Sequence, residues 1–255
     1  MGLSEFNIEG LVVGISGGGK GIGRALVLKA AEAGAHVFTC SRTPADLDSV
    51  LAEAKDLPGR CEATTIDLTS PTGPDEFIAF GAKTFGRIDA TINNVGYNFA
   101  RPALEYSRAE VDNFYHINLG SLYACCVAAA QHMVDHSVAG SIVNITSKAG
   151  LIAAPLRAPY SAMKAGATHL TRSLAAEWAE YGIRVNAVSP GATATPLMAG
   201  NVNLDLSSVL DKILLGHRQA TPEEVALPAL FLLSPAAGRM TGQVLAVDGG
   251  SSLGV

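Results

Sequence analysis

Two side chains that can exchange a proton lie four residues apart in the segment PYSAMK: the phenol of Tyr160 and the ammonium of Lys164. Residues at this spacing share one face of a helix. A nearby ammonium favours phenolate, so the pair predicts a tyrosine with a depressed pKa. Lowering a phenol pKa from about 10 to about 7 requires roughly 4 kcal/mol, which one lysine at about 4 Å supplies at an effective dielectric of about 20.

An isolated pair of this kind is more often an ordinary contact on a helix surface, so the neighbouring chain decides between the two interpretations. Ser147 ends an apolar, strand-like run 13 residues before Tyr160, and a glycine-rich turn lies upstream. These neighbours favour acid–base chemistry.

The glycine-rich stretch GISGGGKGIGRAL, residues 14–26, follows the first predicted strand and opens the first predicted helix. Its spacing is Gly17-x-x-x-Gly21-x-Gly23. Glycines let the backbone approach a pyrophosphate closely, and free N–H groups at the helix start face the anion. A turn of this composition without a ligand would be a costly way to begin a helix. The stretch therefore predicts a dinucleotide site.

The end of the second predicted strand indicates which dinucleotide binds. An acidic residue there would bind the ribose 2′-OH of NAD, but residues 40–43 read CSRT. Arg42 can pair with a 2′-phosphate, and Lys20 could add a second positive charge. We therefore predict NADP(H) rather than NAD(H). Asp46 and Asp48 lie in the next helix, and we interpret them as too distant to be the ribose acid.

The elements that must position these residues follow from the hydrophobic pattern, in which short apolar runs alternate with helical periodicity. Strands apolar on both faces and separated by helices are typical of a parallel sheet covered on both sides. The predicted fold is α/β, a single doubly wound Rossmann fold with a seven-stranded parallel sheet flanked by helices. The predicted strands are 11–16, 36–41, 63–68, 89–95, 141–147, 183–190 and 243–249; the predicted helices are 21–34, 44–56, 75–85, 107–136 with a possible break, and 158–180.

No Pro- or Ser-rich linker divides the chain, so we predict one dinucleotide-binding and catalytic domain over 1–255. A further helix is predicted to begin at Pro222, with Thr221 as its cap. Residues 195–218 interrupt the alternation of strands and helices. Since loops at the carboxyl ends of strands build ligand sites, we interpret this segment as a loop or lid beside the substrate.

Several motifs occur together and in a fixed order: the glycine-rich turn from Ser16 to Gly23, Asn93-Asn94-Val95-Gly96, Asn118, Ser147, Tyr160-x-x-x-Lys164 and Pro190-Gly191. This set resembles the short-chain dehydrogenase/reductase superfamily, with tropinone-reductase-like and 3-oxoacyl-carrier-protein-reductase-like members nearest. The match runs from residue 8 to about 250. The resemblance implies hydride transfer between NAD(P)H and a carbonyl or alcohol, without a metal.

The resemblance also implies a role for each matching residue. Tyr160 would be the general acid/base, and Lys164 would bind the nicotinamide ribose and depress the tyrosine pKa. Because desolvation opposes this shift, we predict it only for a closed, cofactor-loaded site. Ser147 would bond the substrate oxygen, and Asn118 would hold a water of the proton relay. Together with the turn and the strand end, the predicted cofactor-binding residues are Gly17, Gly19, Lys20, Gly21, Ile22, Gly23, Ser41, Arg42, Asp67, Leu68, Asn94, Val95, Gly96, Tyr160, Lys164, Pro190, Gly191, Thr193 and Thr195.

The predicted substrate contacts are mostly apolar and indicate a hydrophobic or uncharged ketone. The stretch 148–158 also carries two charges, Lys148 and Arg157, whose directions the sequence leaves open. The substrate residues are Ser147, Ala149, Leu151, Pro155, Tyr160, Leu197 and Met198.

Composition argues against other kinds of partner. The net charge is -5 with no basic run, which argues against nucleic acid. No signal-peptide pattern opens the chain and no apolar run reaches about 18 residues, so we expect a cytoplasmic protein that does not bind membranes. His132 and His136 have helical metal-ligand spacing but no third ligand, so no metal is expected. The family and the apolar tail at 249–255 indicate a homo-oligomer, a dimer or a tetramer.

Three functions remain open at this point. The leading hypothesis is an NADPH-dependent carbonyl reductase, equally an NADP-dependent alcohol dehydrogenase. The alternative is a non-catalytic NADP-binding sensor or structural protein that keeps the fold. The third is a lyase or epimerase that holds its nicotinamide tightly and causes no net redox change. An intact set of Asn118, Ser147, Tyr160 and Lys164 favours the first.

Overall fold

The computed structural model describes residues 4–201, 203 and 205–253. Within them, one fully parallel sheet has the strand order β3-β2-β1-β4-β5-β6-β7. The predicted Rossmann fold is confirmed. The strands are β1 (Val12–Ser16), β2 (His36–Ser41), β3 (Cys61–Thr65), β4 (Ala90–Asn93), β5 (Ser141–Ile145), β6 (Arg184–Pro190) and β7 (Val244–Val247).

Helices cover both faces of the sheet because its central strands are buried on both sides. Leu26 and Leu232 belong to the core on one face, and Phe77, Cys126 and Leu174 to the core on the other. The helices are α1 (Gly21–Glu32), α2 (Pro44–Ala54), α3 (Gly73–Phe85), α4 (Arg108–Tyr115), α5 (Ser121–Asp135), α6 (Ala158–Trp178), α7 (Pro196–Ala199), α8 (Leu206–Asp211) and α9 (Pro222–Leu233).

The third strand differs from its predicted position. It covers Cys61–Thr65 rather than 63–68, because the chain leaves the sheet where the Asp67 carboxylate accepts the backbone N–H of Thr69 at 2.9 Å. This turn brings Asp67 and Leu68 to the carboxyl edge of the sheet. Ligands bind at this edge in doubly wound folds, where the strand order reverses between β1 and β4.

The predicted break within 107–136 is a π-helical turn, His116–Gly120, between α4 and α5. Single π turns inside α-helices occur frequently at functional sites. The joined stretch Arg108–Asp135 is long and apolar enough, by length and composition alone, to cross a membrane. Its inner side chains, including Leu122, Cys126 and Met133, lie in the core against the sheet. Core helices pass the same test, so the stretch is weak evidence for a membrane span.

The segment 195–218 contains two short helices, α7 and α8, and is tied to the body at several points. The Asn203 amide donates to the carbonyl of Ala100 at 2.9 Å, and the Leu215 N–H donates to the Gly249 carbonyl at 3.0 Å. The following helix, α9, begins at Pro222 as predicted. Its Thr221 cap accepts the N–H of Glu224, whose carboxylate accepts the N–H of Thr221 in return.

Candidate active site

A cleft of about 490 Å³ opens at the carboxyl ends of β1, β4, β5 and β6. It has two ends, which we name by their residues. The outer end holds Lys20, Ser41, Arg42, Asp46 and Asp67; the inner end holds Ser147, Arg157, Tyr160 and Lys164. The glycine-rich turn and the strand-end segments 94–96 and 190–195 connect the two ends.

The glycine-rich turn is a close-fitting backbone cradle. A Cβ on Gly18 would lie 2.1 Å from the Thr39 hydroxyl oxygen, and one on Gly23 would lie 2.0 Å from the carbonyl oxygen of Gly17. Gly17 has φ +71°, which side chains rarely allow. Side chains are thus excluded beneath the turn, and its backbone faces the cleft. Gly23, predicted to contact the cofactor, packs under the turn instead of lining the cleft.

Asn94 joins this turn to the end of β4. Its side-chain amide donates to the carbonyl oxygens of Ser16 and Gly17 at 3.2 and 3.3 Å, and its backbone N–H donates to the Ser16 hydroxyl at 2.9 Å. Asn94 fixes the cradle from below and lines the cleft. The serine at residue 16 therefore contributes its hydroxyl to the architecture of the turn.

The outer end carries exposed charges. Lys20 forms a salt bridge with Asp46 at 3.0 Å, while 60% of the Lys20 side chain stays exposed. Asp46 lines the cleft, nearer than the sequence indicated, because α2 begins directly below the turn. The pKa of Asp67 is lowered by hydrogen bonds from Thr69 and, to a lesser degree, by the Arg42 guanidinium. Arg42 is thus placed beside Asp67 at this end.

The inner end is buried. Only 8% of Ser147, 8% of Tyr160 and 2% of Lys164 is exposed. The Ser147 oxygen accepts the N–H of Ala149 at 3.2 Å, which leaves its hydroxyl proton available to another acceptor. The Lys164 Nζ donates to the Ile145 carbonyl at 3.0 Å and lies 5.8 Å from the centre of the Tyr160 ring. Helix α6 thus presents both predicted groups to the cleft.

The pKa of Tyr160 is raised by the protein alone, whereas the lowered pKa was predicted for a closed, cofactor-loaded site. Burial of the phenol is the main cause, and the Ser147 hydroxyl and the Arg157 guanidinium oppose it. Burial also lowers the pKa of Lys164 from 10.5 to about 8. Desolvation therefore outweighs the favourable effect of a cation on phenolate, since the ammonium is itself turned toward the Ile145 carbonyl.

Asn118 lies in the π turn, fully buried. Its side-chain oxygen accepts the N–H of Tyr97 at 3.0 Å, and its amide donates to the carbonyl oxygens of Tyr97 and Phe114 at 3.0 and 3.1 Å. The side chain is satisfied by backbone groups and does not line the cleft. It fixes the chain after β4, where a Cβ on Gly96 would lie 3.5 Å from the Lys164 Nζ. The side chain of Asn118 therefore positions the segment after β4, and its role in a water relay stays a prediction.

Comparison with known proteins shows the family. Residues 17–252 match the sequence model of a family described as enoyl-(acyl carrier protein) reductase. A 3-oxoacyl-[acyl-carrier-protein] reductase from Thermotoga maritima is 34% identical over 95% of this chain and 98% of its own. A solved short-chain type dehydrogenase/reductase from Mycobacterium marinum is 31% identical, with a TM-score of 0.92 over 97% of this chain and 98% of its own. This chain belongs to the short-chain dehydrogenase/reductase family.

As a short-chain dehydrogenase/reductase, the protein is an oxidoreductase that binds a nicotinamide dinucleotide. A solved structure from Beutenbergia cavernae, with bound NADP at low occupancy, is 36% identical, with a TM-score of 0.90 over 97% of this chain and 98% of its own. The turn fits such a group, because Gly17, Gly19 and Gly21 line the cleft at the start of α1, where backbone can approach a phosphate closely.

The cleft brings together most residues predicted to bind the dinucleotide. The exception is Gly23, which packs under the turn. The residues that line the cleft are Gly17, Gly19, Lys20, Gly21, Ile22, Ser41, Arg42, Asp67, Leu68, Asn94, Val95, Gly96, Tyr160, Lys164, Pro190, Gly191, Thr193 and Thr195.

The predicted substrate residues divide into two groups. Ser147, Tyr160, Leu197 and Met198 line the cleft, whereas Ala149, Leu151 and Pro155 do not. The 3₁₀ turn at 148–150 directs Ala149 inward against the Tyr160 ring, and the following chain carries Leu151 and Pro155 to exposed positions.

Polar residues line the cleft where Ala149, Leu151 and Pro155 do not. Arg157 and Lys148, whose directions the sequence left open, both line the cleft, as do Asn98 and Asn201. The amide oxygens of Asn98 and Asn201 are buried and have no partner among the described residues. No spacing signal in the sequence marked these two asparagines, because their placement depends on long-range folding of two loops.

Proposed function

We propose that this protein is an NADP(H)-dependent oxidoreductase that interconverts a ketone or aldehyde with an alcohol. One observation carries the proposal: the hydroxyls of Ser147 and Tyr160 and the ammonium of Lys164 meet in a buried pocket continuous with the glycine cradle. When bound there, the dinucleotide supplies or accepts the hydride.

In the reducing direction, the substrate oxygen needs a proton and stabilisation of its developing negative charge. Tyr160 donates the proton, and its raised pKa keeps the phenol protonated at neutral pH. Ser147 donates a hydrogen bond to the same oxygen, using the hydroxyl proton that its contact with Ala149 leaves available. Oxidation of the alcohol reverses both steps at the same two hydroxyls.

Lys164 would bind the nicotinamide ribose from the same wall of the pocket, where its Nζ lies 5.8 Å from the centre of the Tyr160 ring. Burial lowers its pKa to about 8. The Ile145 carbonyl orients its Nζ at 3.0 Å, and Asn118 holds the segment after β4 against it. Asn118 acts through the backbone of Tyr97, so its contribution is positional.

The preference for NADP(H) rests on the outer end. Ser41 and Arg42 stand at the end of β2, where a carboxylate would exclude a 2′-phosphate. Lys20 is already paired with Asp46, so Arg42 carries the main attraction for that phosphate. The NADP bound to the relative from Beutenbergia cavernae supports the same choice.

The test is a panel of ketones and aldehydes read by NADPH absorbance and run in parallel with NADH. We expect oxidation of NADPH with at least one carbonyl compound, and a lower kcat/KM with NADH. Equal use of NADH would contradict the cofactor preference. Absence of turnover across the panel, with NADPH still bound, would favour the non-catalytic alternative.

A further inference from the structure

Arg157 is a charged residue of the inner end that the proposed reaction does not use. It immediately precedes α6 and lines the same cleft as Ser147, Tyr160 and Leu197. The side chain is partly buried. Its guanidinium acts electrostatically on Tyr160, whose pKa it lowers. Arg157 therefore lies where a substrate bound to Tyr160 would extend.

The backbone before Arg157 is held in an unusual conformation. Leu156 has φ +64°, a left-handed conformation that is uncommon for a leucine. Its carbonyl accepts the N–H of Arg101 at 2.8 Å and the hydroxyl of Tyr106 at 3.0 Å. Strained residues of this kind persist where surrounding contacts hold them, and they cluster at ligand sites. These two bonds fix the turn that places Arg157 at the cleft wall.

The charge of Arg157 has no carboxylate counter-ion within the part of the chain that the structure describes. Among the described residues, no carboxylate lies within 4.0 Å of its guanidinium, and its Nε is buried without a hydrogen-bond partner. Burial lowers the pKa of Arg157, with the Tyr160 and Tyr106 hydroxyls opposing it. A buried donor on a charged group costs free energy unless an acceptor pairs with it.

The other cations near the inner end differ in this respect, because each has a hydrogen-bond acceptor, which for the Lys164 Nζ is the Ile145 carbonyl at 3.0 Å. The Lys148 Nζ donates to the Ser251 hydroxyl at 2.9 Å, and the Asp248 carboxylate favours its charge. Dinucleotide phosphates also have other partners, namely the cradle that connects the two ends and Arg42 at the outer end. Arg157 is thus left for a ligand that also reaches Tyr160.

We propose that Arg157 binds a carboxylate on the substrate, so that the substrate is an oxo acid or hydroxy acid rather than an uncharged ketone. The planar guanidinium, with its free Nε, matches the two oxygens of a carboxylate. Leu197 and Met198 line the same cleft and suit an apolar chain between the carboxylate and the carbonyl. This inference rests on the proposed reductase function and names its substrate class.

The kinetic test uses matched pairs: 2-, 3-, 4- and 5-oxohexanoate, each with its methyl ester, assayed with NADPH. We expect kcat/KM for at least one acid to exceed that for its ester by about 10- to 100-fold, the size expected for one charge-assisted hydrogen-bonded contact. Arg157→Gln should abolish this preference, and Arg157→Lys should restore part of it. Because Arg157 also affects Tyr160, the acid-to-ester ratio is the deciding quantity.

Arg60→Gln is the matched control, since it removes an exposed arginine that pairs with Glu62 outside the cleft. It should leave the acid-to-ester ratio unchanged. Equal turnover of every acid and its ester by the wild type would overturn the inference while leaving the reductase function intact. A preference for acids that survives in Arg157→Gln would overturn it as well.

A binding measurement decides the matter even if none of these compounds is turned over. Calorimetric titration of hexanoate and of hexanamide into the enzyme loaded with NADP⁺ requires no chemistry. We expect hexanoate to bind at least about tenfold more tightly than hexanamide, and Arg157→Gln to remove the difference. Hexanoate that binds no more tightly than the amide would contradict the assignment, whatever the outcome of the carbonyl panel.

Discussion

The two ends of the cleft hold the same kinds of cation in opposite surroundings. At the outer end, Lys20 is 60% exposed and pairs with the Asp46 carboxylate. At the inner end, Lys164 is 2% exposed, donates to a backbone carbonyl, and has its pKa lowered to about 8. Exposed ion pairs change the stability of the fold little, whereas burial of an ammonium costs considerable free energy.

This difference shows what each end is built to do. The outer end offers solvent-exposed charges to which a phosphate can bind. Substitutions there should change only the affinity for the dinucleotide. The inner end keeps ionisable groups where they lower stability, which is typical of groups retained for chemistry. Substitutions at the inner end should therefore affect turnover strongly and, for the buried ammonium, should change how stability depends on pH.

The largest effect of the following variants is expected for Ser147→Ala. Loss of the hydrogen bond to the substrate oxygen should reduce kcat by about 100-fold or more, as removal of one oxyanion donor does. Steady-state kinetics with the best carbonyl of the panel measures it. Ser141→Ala is the matched control, because that hydroxyl lies at the far end of β5 and bonds the Leu232 carbonyl. Similar rates for both variants would contradict the role of Ser147 in stabilising the substrate oxygen at the inner end.

Lys164→Met tests the cost of the buried ammonium. The pKa of Lys164 is about 8 in the folded chain against 10.5 ordinarily, so between these values the unfolded chain binds more protons and wild-type stability rises with pH. At 1.36 kcal/mol per pKa unit, the free energy of unfolding of the wild type should rise by about 2 kcal/mol relative to that of Lys164→Met between about pH 7 and about pH 9.5. Urea unfolding of both proteins at each pH measures this, and parallel pH profiles would contradict it.

Arg42→Ala should give the smallest effect, about a tenfold loss of affinity for NADPH with no loss for NADH, because one exposed charge-assisted contact is removed. Fluorescence titration of both cofactors measures it, and the loss should shrink in high salt. Lys20→Met is the control, since Asp46 already neutralises that charge, and it should change NADPH affinity less. An equal loss for both cofactors would place Arg42 away from the 2′-phosphate.

The sequence predicted those features that depend on local chain geometry. The glycine turn, the shared face of Tyr160 and Lys164 on α6, and the reciprocal cap of α9 each involve residues within one turn or helix. Strands β2 and β6 also lie at their predicted positions within one residue, because their apolar runs are buried on both faces.

Features that depend on contacts between distant segments could not be predicted. The direction of Arg157 follows from the left-handed Leu156, which is held by Arg101 and Tyr106 from another part of the chain. The raised pKa of Tyr160 follows from burial of its phenol, which a four-residue spacing does not reveal. The proximity of Asp46 to Lys20 follows from the packing of α2 below the turn.

The central claim is that Tyr160 donates the proton at the inner end while the dinucleotide is held by the rest of the cleft. Replacing Tyr160 with Phe removes one oxygen from a ring that packs against Phe114 and Ala149. We expect Tyr160→Phe to bind NADP⁺ with wild-type affinity and to lose about 10²- to 10⁴-fold in kcat, the contribution of a general acid. A variant that reduces the same carbonyl at the wild-type rate would contradict the account.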